Sequence, residues 1–243
     1  MKLYGSYTSP FVRHCRILLL ESGLPCEFIV TDGAASAAKS PAKKVPFLED
    51  GELFLTDSCS IIKYLREKNM QAFCFTAIEY DRFCLVNTLL EASVNLFMLE
   101  KDGILPTQSA YLQRHVARIQ SGLATLDGMR WPSAGPYNDA ELRLLCFLDW
   151  ALFRKRFTFD EYTNLTAFLA AARAYQPFTQ TIPHGEKSRL ASRHHIRDAS
   201  HTRFVVDVIV WRPAAGRSTT TPAPPARISA ARKAPAHRPG IIP

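Results

Sequence analysis

The spacing of apolar residues changes once along this chain, near residue 75, and that change constrains the fold more than any other feature of the sequence. Before it, short apolar runs alternate with segments in which apolar residues recur every three or four positions. After it, as far as residue 183, every periodic segment has helical spacing. We therefore predict an α/β domain at residues 1–70 and an all-α domain at residues 76–183.

The first strand-to-helix joint of the predicted α/β domain contains a hydroxyl side chain. Residues 2–6 read as a strand, and Pro10 suits the first position of the helix that follows. On that helix, the apolar residues share one face, and we place Arg13, His14 and Arg16 on the opposite face. Ser9, just before the helix, either caps it or donates a proton to something outside it, and the residues alone leave both interpretations open.

A second block, KVPFLEDGELFLTDS at residues 44–58, predicts a hairpin followed by a helix. Asp50-Gly51 lies between two apolar runs, which is a strong signal for a tight turn between antiparallel strands. Asp57 and Ser58 then precede a helical pattern and predict a capped N-terminus. Between the two blocks, residues 32–41 are rich in small residues and predict only a loop or an irregular helix.

Four helices are predicted after residue 75, at about 76–100, 107–129, 138–153 and 160–175. The third begins with Asn138 and Glu141 at the spacing of a capping box, in which each side chain bonds the other residue's backbone N–H. Its apolar residues surround most of the helix, so we expect it to lie at the centre of the domain.

The basic character of the chain is confined to its last sixty residues. The full chain has a net charge of +8, all of which arises from residues 184–243, because residues 1–183 carry as many acidic as basic side chains. Arg, Ala, Pro, Ser and Thr dominate this tail, and we predict that it is disordered. We expect no nucleic-acid binding by the folded part; a nucleic-acid arm in the tail remains an alternative.

The sequence also favours a location in the cytoplasm. The N-terminus enters a strand pattern without the features of a signal peptide, and no apolar run reaches the roughly 20 residues of a membrane span. The six cysteines include no C-x-x-C pair and lie among apolar neighbours, so we interpret them as reduced, buried thiols.

Three segments in this order, MKLYGSYTSPFVR, KVPFLEDGELFLTDSCSIIKYL and YNDAELRLLCFLDWALFRKRF, resemble the bacterial glutathione S-transferases over about residues 1–183. The resemblance implies a thioredoxin-like N-terminal domain, an all-α C-terminal domain and a homodimer. It implies a detoxifying transferase that uses glutathione as co-substrate and no metal ion, and that acts on a hydrophobic electrophile or a peroxide.

The resemblance also assigns the parts of a glutathione site. It implies a cis peptide bond at Pro46, with the backbone N–H and C=O of Val45 free to pair with the extended tripeptide. Asp57 and Ser58 would hold the γ-glutamyl end of glutathione, where a helix N-terminus favours a carboxylate. Lys44 would reach the glycyl carboxylate.

The resemblance implies that Ser9 is the catalytic residue. Its hydroxyl would donate a hydrogen bond to the glutathione sulfur and stabilise the thiolate, which is the nucleophile. The electrophile would lie between the domains against Phe11, Asn95 and Met98. Some bacterial relatives have cysteine at this joint, and serine here favours conjugation or peroxide chemistry over thiol exchange.

Two other functions on the same scaffold stay open at this point. One is a non-catalytic binding or regulatory protein, of the kind that attaches to RNA polymerase in stringent starvation. The other is a glutathione-dependent disulfide reductase, for which Cys15 would be the nucleophile. Cys15 lies on the apolar face of its helix, however, which predicts a core position.

Overall fold

A four-stranded sheet and three helices form the first part of the chain in the computed structural model, which describes residues 1–31 and 33–184. The elements are β1 (Lys2–Gly5), α1 (Pro10–Ser22), β2 (Glu27–Val30), α2 (Gly33–Lys39), β3 (Phe47–Asp50), β4 (Leu53–Leu55) and α3 (Ser58–Lys68). The strand order is β2-β1-β3-β4, with β1 parallel to β2 and antiparallel to β3. This mixed sheet with helices on it confirms the thioredoxin-like α/β prediction.

Local signals in the sequence account for most of these elements. Ser9 caps α1 and Pro10 begins it, while Gly23, with a φ of 64°, ends it in the left-handed conformation that glycine adopts without strain. Gly51, with a φ of 61°, lies in the turn between β3 and β4. Residues 33–39, for which the sequence predicted only a loop or irregular helix, form the short helix α2.

The second part of the chain is entirely helical, which confirms the other half of the predicted fold class. Its helices are α4 (Ala77–Lys101), a 3₁₀ turn (Pro106–Gln108), α5 (Ala110–Asp127), α6 (Asp139–Phe153), α7 (Thr163–Ala172) and α8 (Gln176–Thr179). Helix α6 begins with the predicted capping box between Asn138 and Glu141. It is buried around most of its circumference and packs against α4, α1 and α7.

The predicted fourth helix, at about 160–175, is wrong at both ends. Helix α7 begins only at Thr163, where the Asp127 carboxylate accepts hydrogen bonds from the backbone N–H groups of Asn164 and Leu165 at 2.9 and 3.0 Å. A carboxylate at a helix N-terminus satisfies free N–H groups and opposes the helix dipole. This cap comes from the end of α5 and therefore has no signal in the local sequence.

The prediction that Arg13 and His14 lie on an outer face of α1 is also wrong. Both are buried, with exposures of 1% and 0%, at the contact between α1 and the helical part. Arg13 pairs with Asp149 of α6, and the His14 Nε2 lies 3.3 Å from the Asp139 Oδ1. The amphipathic spacing predicted one buried face for α1. In the structure, α1 lies between the sheet and α6, so part of its polar face is buried as well.

Helix α4 is long and apolar enough to cross a membrane, judged by length and composition alone. In this structure its buried side chains pack against α5 and α6, as those of a core helix do. Its exposed positions include charged residues such as Glu91 and Lys101.

The described residues all belong to one compact unit. The predicted domain boundary falls between α3 and α4, and the limits at 70 and 76 stay a prediction. The predicted disorder of the tail concerns residues that lie, apart from His184, outside the described part of the chain. The six cysteines are free thiols, but only Cys15 and Cys146 are buried, and Cys84 is exposed.

Candidate functional site

One cavity of about 570 Å³ opens between the α/β layer and the helical part. Its wall includes every residue that the sequence analysis placed in the glutathione and acceptor sites: Ser9, Phe11, Lys44, Val45, Pro46, Asp57, Ser58, Asn95 and Met98. These residues come from three separate stretches of the chain. Local sequence patterns could not predict that these stretches would meet around one cavity.

Ser9 lies at the wall of this cavity and also caps α1. Its Oγ accepts a hydrogen bond from the backbone N–H of Val12 at 3.3 Å. A hydroxyl that accepts one hydrogen bond still has its proton to donate. The two interpretations of Ser9 are therefore compatible, because the cap fixes the oxygen while the proton is available to an atom in the cavity.

Two further hydroxyls lie beside Ser9, and the sequence analysis did not assign them. Ser6 and Thr8 both line the cavity, and their hydroxyl oxygens lie 3.2 Å apart, so one donates to the other. This pair adds two hydroxyls to the joint between β1 and α1, and Thr8, next to Ser9 in sequence, is an alternative donor to an atom in the cavity.

The peptide bond between Val45 and Pro46 is cis, as the family resemblance implied. Pro46 is buried and leads into β3, and Val45 is partly exposed on the cavity wall. Among the residues that the structure describes, none hydrogen-bonds the backbone N–H or C=O of Val45. These free groups are what an extended peptide needs in order to add to the edge of a sheet.

Asp57 and Lys44 form an ion pair at the next part of the wall. The Lys44 Nζ lies 3.0 Å from the Asp57 Oδ2, and the other carboxylate oxygen of Asp57 caps α3 by accepting from the Cys59 N–H at 2.8 Å. Burial would raise the pKa of Asp57, but the hydrogen bonds from Cys59 and Lys44 outweigh it and hold this pKa below its usual value. Asp57 is therefore ionised at neutral pH, and Lys44 already has a partner within the protein.

Ser58 occupies the first turn of α3 and is buried, with 4% exposure. Its Oγ accepts a hydrogen bond from the Nη2 of Arg143 at 3.1 Å. Arg143 lies 85 residues further along the chain, in α6, and no signal in the sequence pointed to it.

The opposite wall of the cavity is mostly apolar but also carries charge. Phe97 and Trp150 pack edge to face with ring centroids 5.8 Å apart, beside the predicted Asn95 and Met98. The wall also contains Lys101, Arg154 and Glu91, none of which the sequence analysis assigned.

Cys15 does not line the cavity. It is fully buried in α1, and burial raises the pKa of its thiol far above the usual value. A thiol in this state is a poor nucleophile, which counts against the disulfide-reductase alternative. Across residues 1–31 and 33–184, no cluster of three or more His, Cys, Asp or Glu side chains could hold a metal ion.

A family model described as the glutathione S-transferase N-terminal domain matches residues 3–72, the segment that carries Ser9, Val45, Pro46, Asp57 and Ser58. Over this segment the chain is similar to the N-terminal domain of the glutathione S-transferases. The uncharacterised glutathione S-transferase-like protein YibF of Escherichia coli K12 is 46% identical over 78 residues, which cover 29% of this chain and 37% of YibF. Glutathione S-transferase 1 of Zea mays is 37% identical over 112 residues, 43% of this chain and 52% of the maize protein.

Solved glutathione S-transferases have the same fold as this chain. One from Methylobacterium radiotolerans, in complex with glutathione sulfonate, aligns with a TM-score of 0.65 at 19% identity over 82% of this chain and 99% of its own. Another from Methylobacillus flagellatus, with glutathione bound, aligns with a TM-score of 0.63 at 22% identity over 75% of this chain and 99% of its own. At the level of sequence, the chain spans between about a third and a half of the length of the curated relatives it matches.

Proposed function

We propose that this chain is a glutathione transferase that activates the thiol of glutathione for attack on a hydrophobic electrophile or a peroxide. The observation that carries the proposal is the meeting of three features around one cavity: the free backbone edge at Val45, the N-terminus of α3 at Ser58 and the hydroxyl of Ser9. Two structural neighbours, with glutathione sulfonate or glutathione bound, support the same ligand.

Each feature matches one part of the tripeptide. The Val45 backbone would pair with the cysteinyl residue by strand addition, and the N-terminus of α3 would receive the γ-glutamyl carboxylate. Asp57 would face the γ-glutamyl ammonium group, and Lys44, whose Nζ lies 3.0 Å from the Asp57 carboxylate, would leave this pair to reach the glycyl carboxylate. The cysteinyl sulfur would then face the Ser9 hydroxyl at the start of α1.

The chemistry needs a thiolate, which free glutathione supplies only in small amounts at neutral pH. In the proposed reaction, the thiol gives its proton to water, and Ser9 donates a hydrogen bond to the resulting thiolate without itself becoming a nucleophile. The sulfur electron pair forms a bond to the electrophilic carbon as the leaving group departs with its own pair. A shift of about two pKa units in the thiol corresponds to roughly 2.7 kcal/mol of thiolate stabilisation.

The acceptor would lie against the wall formed by Phe11, Phe97, Met98 and Trp150, and would itself shield the sulfur from water. We also propose that the protein acts as a homodimer, as its family resemblance implies, and that it does so in the cytoplasm.

Calorimetric titration of the full chain with glutathione tests the proposal directly. We expect saturable binding and a thiolate signal in the ultraviolet spectrum below the pH at which free glutathione ionises. We also expect turnover with an aromatic electrophile. Ser58→Ala should weaken the binding, and Ser60→Ala, on the exposed side of the same helix turn, is the matched control. Failure of the wild-type chain to bind glutathione would refute the proposal, and binding without turnover would favour the non-catalytic alternative.

A further inference from the structure

Arg143 is a fully buried cation directly behind the cavity wall. Its side chain has 0% exposure, and its Nη2 donates to the Ser58 Oγ at 3.1 Å. The guanidinium carbon lies 5.2 Å from the ring centroid of Phe11 and 4.9 Å from that of Phe83. Arg143 therefore contacts two residues of the cavity wall, Ser58 and Phe11, from the protein side.

This arginine has no carboxylate partner in the described part of the chain. Its Nε and Nη1 are buried without an acceptor, and it forms no ion pair. The nearby acidic groups are engaged elsewhere, because Asp57 pairs with Lys44 and Asp139 pairs with Arg66. A buried charge without a counter-ion strongly destabilises a fold, so an anion bound on the other side of Ser58 would relieve an existing imbalance.

The hydrogen bond also determines what Ser58 can do. Because the Ser58 oxygen accepts from Arg143, its own proton is directed to another partner. Ser58 lines the cavity, and its backbone N–H, in the first turn of α3, has no partner among the described residues. The hydroxyl and the backbone amide together can donate to one carboxylate, with a fixed positive charge behind them.

We propose that Arg143 is a positioning residue for a carboxylate anchor at the N-terminus of α3, orienting the Ser58 hydroxyl as a donor and adding a buried positive charge behind it. This inference rests on the proposed function, because the carboxylate is that of the γ-glutamyl residue of glutathione. Arg143 itself does not line the cavity, so it acts through Ser58 and through its electric field.

A ligand pair separates this role from a purely structural one. The two probes are glutathione and its analogue with hydrogen in place of the γ-glutamyl α-carboxylate, 4-aminobutyryl-cysteinyl-glycine. In Arg143→Met, calorimetry should show glutathione binding weakened about tenfold, which is about 1.4 kcal/mol, and analogue binding changed less than about twofold. Arg143→Lys, which keeps the charge, should retain most of the discrimination between the two ligands.

The coupling to Ser58 gives an independent check. In a Ser58→Ala background, Arg143→Met should weaken glutathione binding much less than it does in the wild type, because the residue through which it acts is missing. If Arg143→Met does not fold, Arg143→Gln takes its place in every comparison, since its amide can still donate to Ser58 without the charge.

The outcomes distinguish the two proposals. A wild-type chain that binds neither ligand refutes the proposed function. If the wild type binds glutathione but the uncharged Arg143 variants weaken the binding of both ligands by the same factor, the proposed role of Arg143 is refuted and the proposed function stands. The same holds if these variants bind both ligands as tightly as the wild type does.

Discussion

The guanidinium of Arg13 in α1 is buried against the carboxylate of Asp149 in α6, 136 residues further along the chain. The same guanidinium donates from Nη2 to the carbonyl of Phe178 at 2.9 Å and from Nε to the Thr181 hydroxyl at 3.3 Å. Arg173 binds the other oxygen of Asp149. This cluster joins α1, which Ser9 caps, to α6, which carries Arg143, and so connects two elements that contribute to the cavity wall.

Asp149→Asn should therefore lower the free energy of unfolding by about 3–5 kcal/mol, because it leaves the buried Arg13 charge without a counter-ion. Urea denaturation measures the change. The control is Glu67→Gln, which removes an exposed carboxylate from its pair with Lys63 and should change stability by less than about 1 kcal/mol. Equal losses in the two variants would contradict the stabilising role of the Arg13 pair.

Ser9→Ala should raise the pH at which the bound thiolate appears, while leaving the affinity for glutathione nearly unchanged at a pH low enough that the bound thiol is protonated. The hydroxyl stabilises only the ionised sulfur in the proposed mechanism, so its loss acts on the thiol pKa. Ultraviolet titration of the thiolate measures this pKa. Ser9→Thr keeps the hydroxyl and should resemble the wild type, and Thr8→Val tests the neighbouring donor. A shift in Thr8→Val but not in Ser9→Ala would transfer the role to Thr8.

Loss of the Ser9 cap has a separate effect on stability. The Val12 N–H loses its acceptor in Ser9→Ala, and we expect the free energy of unfolding to fall by about 1 kcal/mol. Binding and pKa measurements on this variant therefore belong at temperatures well below its midpoint of thermal unfolding.

The stability of the fold should fall as the pH decreases from about 6.5 to about 4. Burial lowers the pKa of His14 to about 4, against the opposing effect of its hydrogen bond to Asp139, so the native ring is neutral where the unfolded one binds a proton. The difference corresponds to a loss of about 3 kcal/mol across this window.

Urea denaturation at a series of pH values measures this loss. His14→Gln cannot bind the proton, and its stability should vary less between pH values of about 6.5 and 4. A wild-type profile that is flat in this window would show that His14 does not titrate as its burial indicates.

Arg154→Met should lower the preference of the acceptor site for a carboxylate. The guanidinium of Arg154 lies on the cavity wall, 5.0 Å from the ring centroid of Phe97, and has no carboxylate partner among the described residues. We expect the ratio of kcat/KM for a carboxylated aromatic electrophile to that for its neutral counterpart to fall about 10- to 150-fold, which corresponds to the roughly 1.5–3 kcal/mol of one hydrogen bond to a charged group. Lys155→Met, next in sequence and outside the wall, is the control.

A thiol reagent should modify Cys84 first and leave Cys15 and Cys146 unmodified in the native protein. Cys84 is exposed, while the other two are fully buried, and burial raises the pKa of the Cys146 thiol to about 11. Peptide mapping after brief alkylation identifies the modified residues. Rapid labelling of Cys15 under native conditions would revive the disulfide-reductase alternative.

The sequence by itself determined the order of elements, the main turns and caps, and the residues that we propose for the glutathione site. Ser9, Val45, Pro46, Asp57 and Ser58 belong to short motifs whose conformation depends on neighbours within a few positions, so local spacing and the family resemblance were sufficient to find them.

Only the tertiary structure decided what surrounds those motifs. The burial of Arg13 and His14, the capping of α7 by Asp127, and the contact of Arg143 with Ser58 join residues that are between 37 and 136 positions apart. Each depends on how α6 and α5 pack, and a helical pattern says which face is apolar but not which distant polar group will lie opposite it. Because that packing decides which buried polar groups form pairs, the buried charged residues around the cavity could not be predicted from the sequence.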